Sequence, residues 1–258
     1  MSEDTEGGTP MRMRQGIRLT ASVKRAWKPC VRVFFFALMS TLAAGGQAWA
    51  QKDAELQQAF NKMDEVAKGF RAFSARFSQI NYTAIVDAFD SPHTGEYFYA
   101  FDKDRTVLWR HETRNPVPKI LTVRKGIVTI YQPRIKEATI YDMGKRRQYV
   151  DYLAVGIGRR AAELQEKFSI SFQGSELIAG APCFVLLCRP RDREVSSQVS
   201  SITIWLKKSS GTPARFKIEA PGGDFLLVTF SGEKLNAAIP DSMFDQKLPA
   251  GVNIIRIQ

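Results

Sequence analysis

Two histidines stand in the 258 residues, His93 and His111. A general base must reach a nucleophile or a reacting proton, and a metal needs several ligands converging on one point. His93 falls in the turn-rich stretch FDSPHTG, while His111 sits beside Trp109 and Glu112 in an extended run. HExxH, GxSxG, P-loop and GxGxxG patterns are absent. His111 therefore reads as a packed strand residue. The carboxylate pairs Asp87/Asp90 and Asp102/Asp104 lie in turns. They lack the periodic oxygen ligands of a calcium loop, so turn hydrogen bonding is the expected role. Cys183 and Cys188 lie in PCFVLLCRP. In an extended strand their Cα atoms would be on the order of 16 Å apart on opposite faces. A disulfide needs about 7 Å. Both read as buried free thiols. No catalytic group, metal or cofactor is expected, and the sequence reads as a binding protein rather than an enzyme.

What the chain offers instead is apolar side chains on regular elements. From Asp53 to about Lys68, the residues Leu56, Phe60, Met63 and Ala67 recur at helical spacing. Asp53 is the expected N-cap of this helix and Gly69 its stop. The period then falls to two. Phe73, Ala75, Phe77 and Gln79 share one face, and Val107, Trp109 and His111 share another. Short strands follow at regular spacing, joined by Lys-Gly or Pro-containing turns, as in an antiparallel meander. Between Arg146 and Phe168 the rhythm breaks into an apolar cluster and a helical stretch, RRAAELQEKF. Gly156 and Gly158 predict a jointed insert rather than one rod. Strands resume at Ser169.

The order is one helix, about six strands, a helical insert and about five strands. A sheet of that size with two helical pieces is expected to curl on itself. The helices then cover its open face, and a barrel so incompletely filled holds an apolar cavity.

Residues 33–50, VFFFALMSTLAAGGQAWA, follow a basic stretch and end on the small-x-small triplet Ala48-Trp49-Ala50. This is the pattern of a cleaved secretory signal peptide. Its apolar core is short for a bilayer span, which needs about 20 residues. Met11 or Met13 is an alternative start. Residues 51–258 are then one exported, periplasmic domain. The whole chain carries a net charge of +11. Residues 1–50 hold seven Lys/Arg and three Asp/Glu, leaving 30 basic and 23 acidic residues, a net of +7. The charges are scattered, and export argues against nucleic acid as a partner.

Several short motifs then carry a resemblance. SARFSQ (residues 74–79), Gly95-x-Tyr97-x-Tyr99, Val107-Leu108-Trp109, the Lys125-Gly126 hairpin and Tyr131-x-Pro133 occur in that order. The close MFDQKLPAGV (Met243 to Val252) fits a Phe-x-x-x-x-Pro-x-Gly-Val pattern. Together they resemble the LolA family, periplasmic carriers of outer-membrane lipoproteins. The resemblance implies an α+β fold that is mainly β: an unclosed antiparallel β-barrel of about eleven strands with a helical lid over an apolar cavity. It implies a monomer that takes acylated lipoproteins from an inner-membrane ABC transporter of the LolCDE type and passes them to a LolB-like outer-membrane acceptor.

The acyl-chain lining expected from the residues is Phe60 and Met63 on the helix, Phe77 on the first strand, and Tyr97, Tyr99, Val107 and Trp109 on the next two. Tyr149, Leu153, Val155 and Ile157 are the expected lid, and Ile202, Ile204 and Leu206 a late wall. In the family pattern a basic residue before the Val/Phe-x-Trp strand latches the lid. Lys103 and Arg105 in FDKDRTVLW are the candidates here. Carriers of another lipid or glycolipid, and RseB-like envelope-stress sensors with a second C-terminal domain, resemble the same fold and stay open as alternatives. A lipid hydrolase would require a nucleophile and base that the motifs do not supply.

Overall fold

The computed structural model describes residues 51–144 and 155–257. The expected signal peptide and the lid residues Tyr149 and Leu153 lie outside them. Helix α1, residues 51–68, buries Ala59, Phe60, Met63 and Ala67 along one face. The chain is already helical at 51, so Asp53 is an exposed residue within the helix and not its N-cap. At the other end the backbone turns at Gly69, where the Asn236 side chain donates to the Gly69 carbonyl (2.8 Å) and accepts from Arg71 N–H (2.7 Å).

Strands β1 (Ala72–Thr83), β2 (Ala88–Phe89), β3 (His93–Phe101), β4 (Val107–Asn115), β5 (Lys119–Arg124), β6 (Ile127–Gln132) and β7 (Glu137–Asp142) precede helix α2 (Ala161–Lys167). Then come β8 (Phe168–Ile178), β9 (Ala181–Pro190), the short α3 (Arg193–Ser196), β10 (Ser201–Lys207), β11 (Pro213–Glu219), β12 (Phe225–Leu235) and β13 (Asn253–Ile257). They form one sheet in the order β13-β7-β6-β5-β4-β3-β1-β12-β11-β10-β9-β8, with β2 added to β1. Along that path β1 and β3 to β12 are the eleven antiparallel strands, six before α2 and five after it. Two further strands complete the sheet. One is the two-residue β2; the other is the tail β13, which runs parallel to β7. The end strands β13 and β8 do not pair with each other, so the barrel is unclosed.

Side-chain alternation explains the curl. Phe73 on β1, Val123 on β5 and Phe184 on β9 stand far apart along the strand order, yet they belong to one buried cluster. A flat sheet would separate them by several strand spacings of about 4.8 Å. The Lys125-Gly126 turn has positive φ at both residues (51° and 79°), the two-residue hairpin geometry whose twist matches its strands. The outer face has its own small clusters. Phe244, 2% exposed, packs there with Ala72, Ala100 and Leu108, and Arg124 holds the same segment through Asp241 (2.7 Å).

Candidate functional site: an apolar interior under a helix

The interior is built by strands that alternate inward apolar and outward polar side chains, and by the apolar face of α1 laid across them. Phe60 and Met63 of α1, Phe77 of β1, Tyr97 and Tyr99 of β3 and Val107 of β4 all join one cluster. Val155 and Ile157 join it from the coil before α2, as do Ile202, Ile204 and Leu206 of β10; Trp109 packs against it partly exposed. Every described residue expected at the lining is thus brought to the same interior. Gly156 and Gly158 have φ of +80° and +64° in the turn before α2, while the part of the expected jointed insert before residue 155 lies outside the described residues. A Cβ on Gly158 would lie 2.3 Å from the Phe70 ring.

Three contacts hold α1 in place. Glu55 receives Lys208 of the β10–β11 turn (2.8 Å), the Lys62 carbonyl passes 2.8 Å from where a Gly211 Cβ would stand, and Asp64 accepts the Ala161 N–H (2.7 Å).

Most of this interior is filled, but one end is not. A cavity of about 240 Å³ lies between β1, β3, β4 and β5 on one side and β11 and β12 on the other. Tyr97, Trp109, Leu121, Phe216, Leu226 and Phe230 give it apolar walls, and Gln79, His93, Thr113 and Lys119 supply polar groups. Phe230 anchors the packing, with ring centroids 5.1 Å from Tyr97, 5.6 Å from Phe73 and 5.7 Å from Phe216. Burial pushes the Tyr97 hydroxyl well above the ordinary tyrosine range. The residues from β5, β11 and β12 were not foreseen as lining. Their inward alternation was readable, but only strand order shows that β12 lies beside β1. A wider hollow of about 490 Å³ adjoins Arg76, Ser78, Glu96 and Arg114. There Arg114 pairs with Glu96 at 2.6 Å, and an apolar chain would lie against charged groups.

His111 sits on the cavity wall, its ring edge-on to Phe77 with centroids 4.0 Å apart. Burial, with Lys119 and His93 nearby, lowers its pKa to about 4, so the imidazole is neutral near pH 7. No described residue hydrogen-bonds its Nε2, nor the Trp109 Nε1.

The latch candidates separate. Lys103 is exposed in the β3–β4 turn. Arg105 covers the Phe101 ring at 4.8 Å and approaches Glu163 of α2 at 3.7 Å. Its partner is a carboxylate on α2, and Arg159 stands against the same two groups, at 4.6 Å from Phe101 and 3.2 Å from Glu163. The carboxylates of the turns act locally: Asp102 accepts from the Asp104 and Thr106 N–H groups, Asp87 from the Tyr82 hydroxyl, and Asp90 from the Asn81 N–H. Cys188 belongs to the inner cluster and Cys183 to an outer one with Trp205, on opposite faces as expected.

A family model described as "Outer membrane lipoprotein carrier protein LolA" matches residues 68–247. No curated protein matches the sequence. Among solved structures, the chain is similar to an uncharacterized conserved protein of Thermus thermophilus, at 10% identity and TM-score 0.49, over 78% of this chain and 99% of that one. It is also similar to a chain of the Pseudomonas aeruginosa MucA/MucB complex, at 18% identity and TM-score 0.42, over 76% of this chain and 61% of that one. A LolA superfamily protein from Nitrosomonas europaea gives 14% identity and TM-score 0.36, over 74% and 97%.

Proposed function

Since the chain belongs to the LolA family, we propose that it is a periplasmic carrier that shields the acyl chains of lipoproteins and moves them from the inner to the outer membrane. On this reading residues 1–50 direct export and are removed. The donor is an inner-membrane ABC transporter of the LolCDE type, and the acceptor a LolB-like outer-membrane protein.

One observation carries the reading: a cavity whose apolar side, formed by Tyr97, Trp109 and Phe230, continues into the packing between the strands and α1. Shielding an acyl chain from water is worth about 0.8 kcal/mol per methylene, so a carrier must offer a continuous apolar surface. The open space, about 240 Å³, is below the roughly 300–1,000 Å³ of usual ligand pockets. A long chain therefore needs more room, and the neighbouring volume is held by Phe60, Met63, Val155 and Ile157. Exchanging those contacts for contacts with an acyl chain replaces apolar burial with apolar burial. Such an exchange costs little and reverses easily, which suits a carrier that must also release. The work asked of the site is binding, and His111 stays neutral among aromatic rings there.

The test is transfer. Inner-membrane vesicles holding a triacylated lipoprotein are mixed with the protein recovered from the periplasm. The proposal expects the lipoprotein in the supernatant as a one-to-one complex, and none with Trp109→Glu. Release of phospholipid alone would instead identify a carrier of another lipid.

A further inference from the structure

The cavity wall is graded, not uniformly apolar. Read inward-facing residues along β4: Val107, Trp109, His111, Thr113. Paired β5 repeats the order, with Val123 opposite Trp109, Leu121 opposite His111 and Lys119 opposite Thr113. On β1 the run is Phe73, Ala75, Phe77, Gln79, and Gln79 lies opposite His93 of β3. Four adjacent strands thus change from hydrocarbon to polar in the same direction, on β4 from His111, on β5 at Lys119 opposite Thr113, and on β1 and β3 at the Gln79–His93 pair. On the apolar side of that change stand two buried polar atoms, Trp109 Nε1 and His111 Nε2, on residues that line the cavity, and neither has a hydrogen-bond partner among the described residues. Buried polar atoms are normally satisfied, and an unsatisfied pair on residues of a cavity wall points to a ligand atom. An indole N–H only donates, and a neutral imidazole can donate from Nε2. Two donors at the end of a hydrocarbon channel fit a carbonyl oxygen.

Resting on the carrier reading, we propose that Trp109 and His111 form a carbonyl subsite, so that an acyl chain binds with its ester or carboxyl group at this pair. Its tail points toward α1, and its polar end toward Gln79, His93 and Lys119. Pure hydrocarbon would leave both atoms unpaired. An acyl chain entering tail-first from the polar end meets the gradient in the matching order. The oxygen arrives at the donors only when the chain is fully inserted, which fixes its depth. Neither residue performs chemistry.

The experiment compares dodecane, methyl laurate and laurate as probes by equilibrium dialysis against the periplasmic protein. Wild type is predicted to hold methyl laurate more tightly than dodecane. Trp109→Phe stays aromatic but loses the donor and part of the ring; it should weaken methyl laurate roughly tenfold more than it weakens dodecane. His111→Phe should act in the same direction. A second readout does not depend on the variants folding: in wild type, the Trp109 indole N–H resonance shifts with methyl laurate and not with dodecane. Equal losses for both probes in Trp109→Phe, with an indole resonance indifferent to the carbonyl, would overturn the subsite while leaving the carrier reading intact. If none of the probes binds, the carrier reading fails and the subsite with it. The source of the carbonyl is read from the order of the other two probes. An ester preferred over the acid assigns acylated lipid or lipoprotein, while laurate preferred, with the preference lost in Lys119→Gln, assigns free fatty acid.

Discussion

Asp64 on α1 accepts the backbone N–H of Ala161, the first residue of α2, at 2.7 Å. A carboxylate from one helix thus takes over the start of another, for which Arg160 supplies no side-chain cap. The bond ties the covering helix to the chain that leaves the insert, and both lie over the interior. Losing a cap of this kind costs about 1 kcal/mol. Asp64→Ala should therefore lower stability to urea by that amount and speed amide exchange at Ala161. An unchanged exchange rate at Ala161 would show that the bond does not hold the two together.

Acid should weaken the protein through His111. Its pKa is about 4 folded against an ordinary 6.5, because burial opposes the charge. The unfolded chain then binds more protons between those values, so stability falls as pH drops from 6.5 toward 4. The full effect is about 3 kcal/mol. His111→Phe should flatten this part of the pH–stability curve; an identical slope in the variant would contradict the assignment.

Met63 is 2% exposed at the centre of the face that α1 lays on the interior. Met63→Ala should cost about 2–5 kcal/mol in the empty protein, the usual range for such a deletion. If α1 yields its space to acyl chains, the same substitution should tighten binding of a long chain, measured by titration with palmitate. Weaker binding in the variant would argue that Met63 stays in place when the protein is loaded.

Burial pushes the Cys188 thiol up to about 12 and raises that of Cys183 as well. A thiol so rarely ionised is a poor nucleophile. Neither should react with a disulfide reagent at pH 8 until urea unfolds the chain, and mass spectrometry should find no bond between them.

The apolar periodicities of α1 and β1 and the Lys125-Gly126 hairpin could all be read along the chain, because each depends on near neighbours. Eleven antiparallel strands were also within reach, since strands at regular spacing with short turns pair in sequence order. The parallel seat of β13 against β7 was not, for it depends on where Phe244 docks on the outer face. The same limit applies at the site. Phe77, Tyr97 and Trp109 could be placed from alternation within their strands. Phe216, Leu226 and Phe230 reach the cavity that Tyr97 and Trp109 line because β12 returns to pair with β1, with β11 beside it. Asp53 misled because a good capping residue is also tolerated on the exposed side of a helix.

The measurement that bears most directly on the central claim is the position of a bound acyl chain. A triacylated lipopeptide carrying a photoreactive group in one acyl chain is loaded, irradiated, and its attachment sites are mapped by mass spectrometry. The account predicts attachment to Tyr97, Trp109, Phe230 and Met63, all inside the barrel. Attachment confined to outer-face residues such as Phe98 or Trp205 would place the chain outside it and contradict the account.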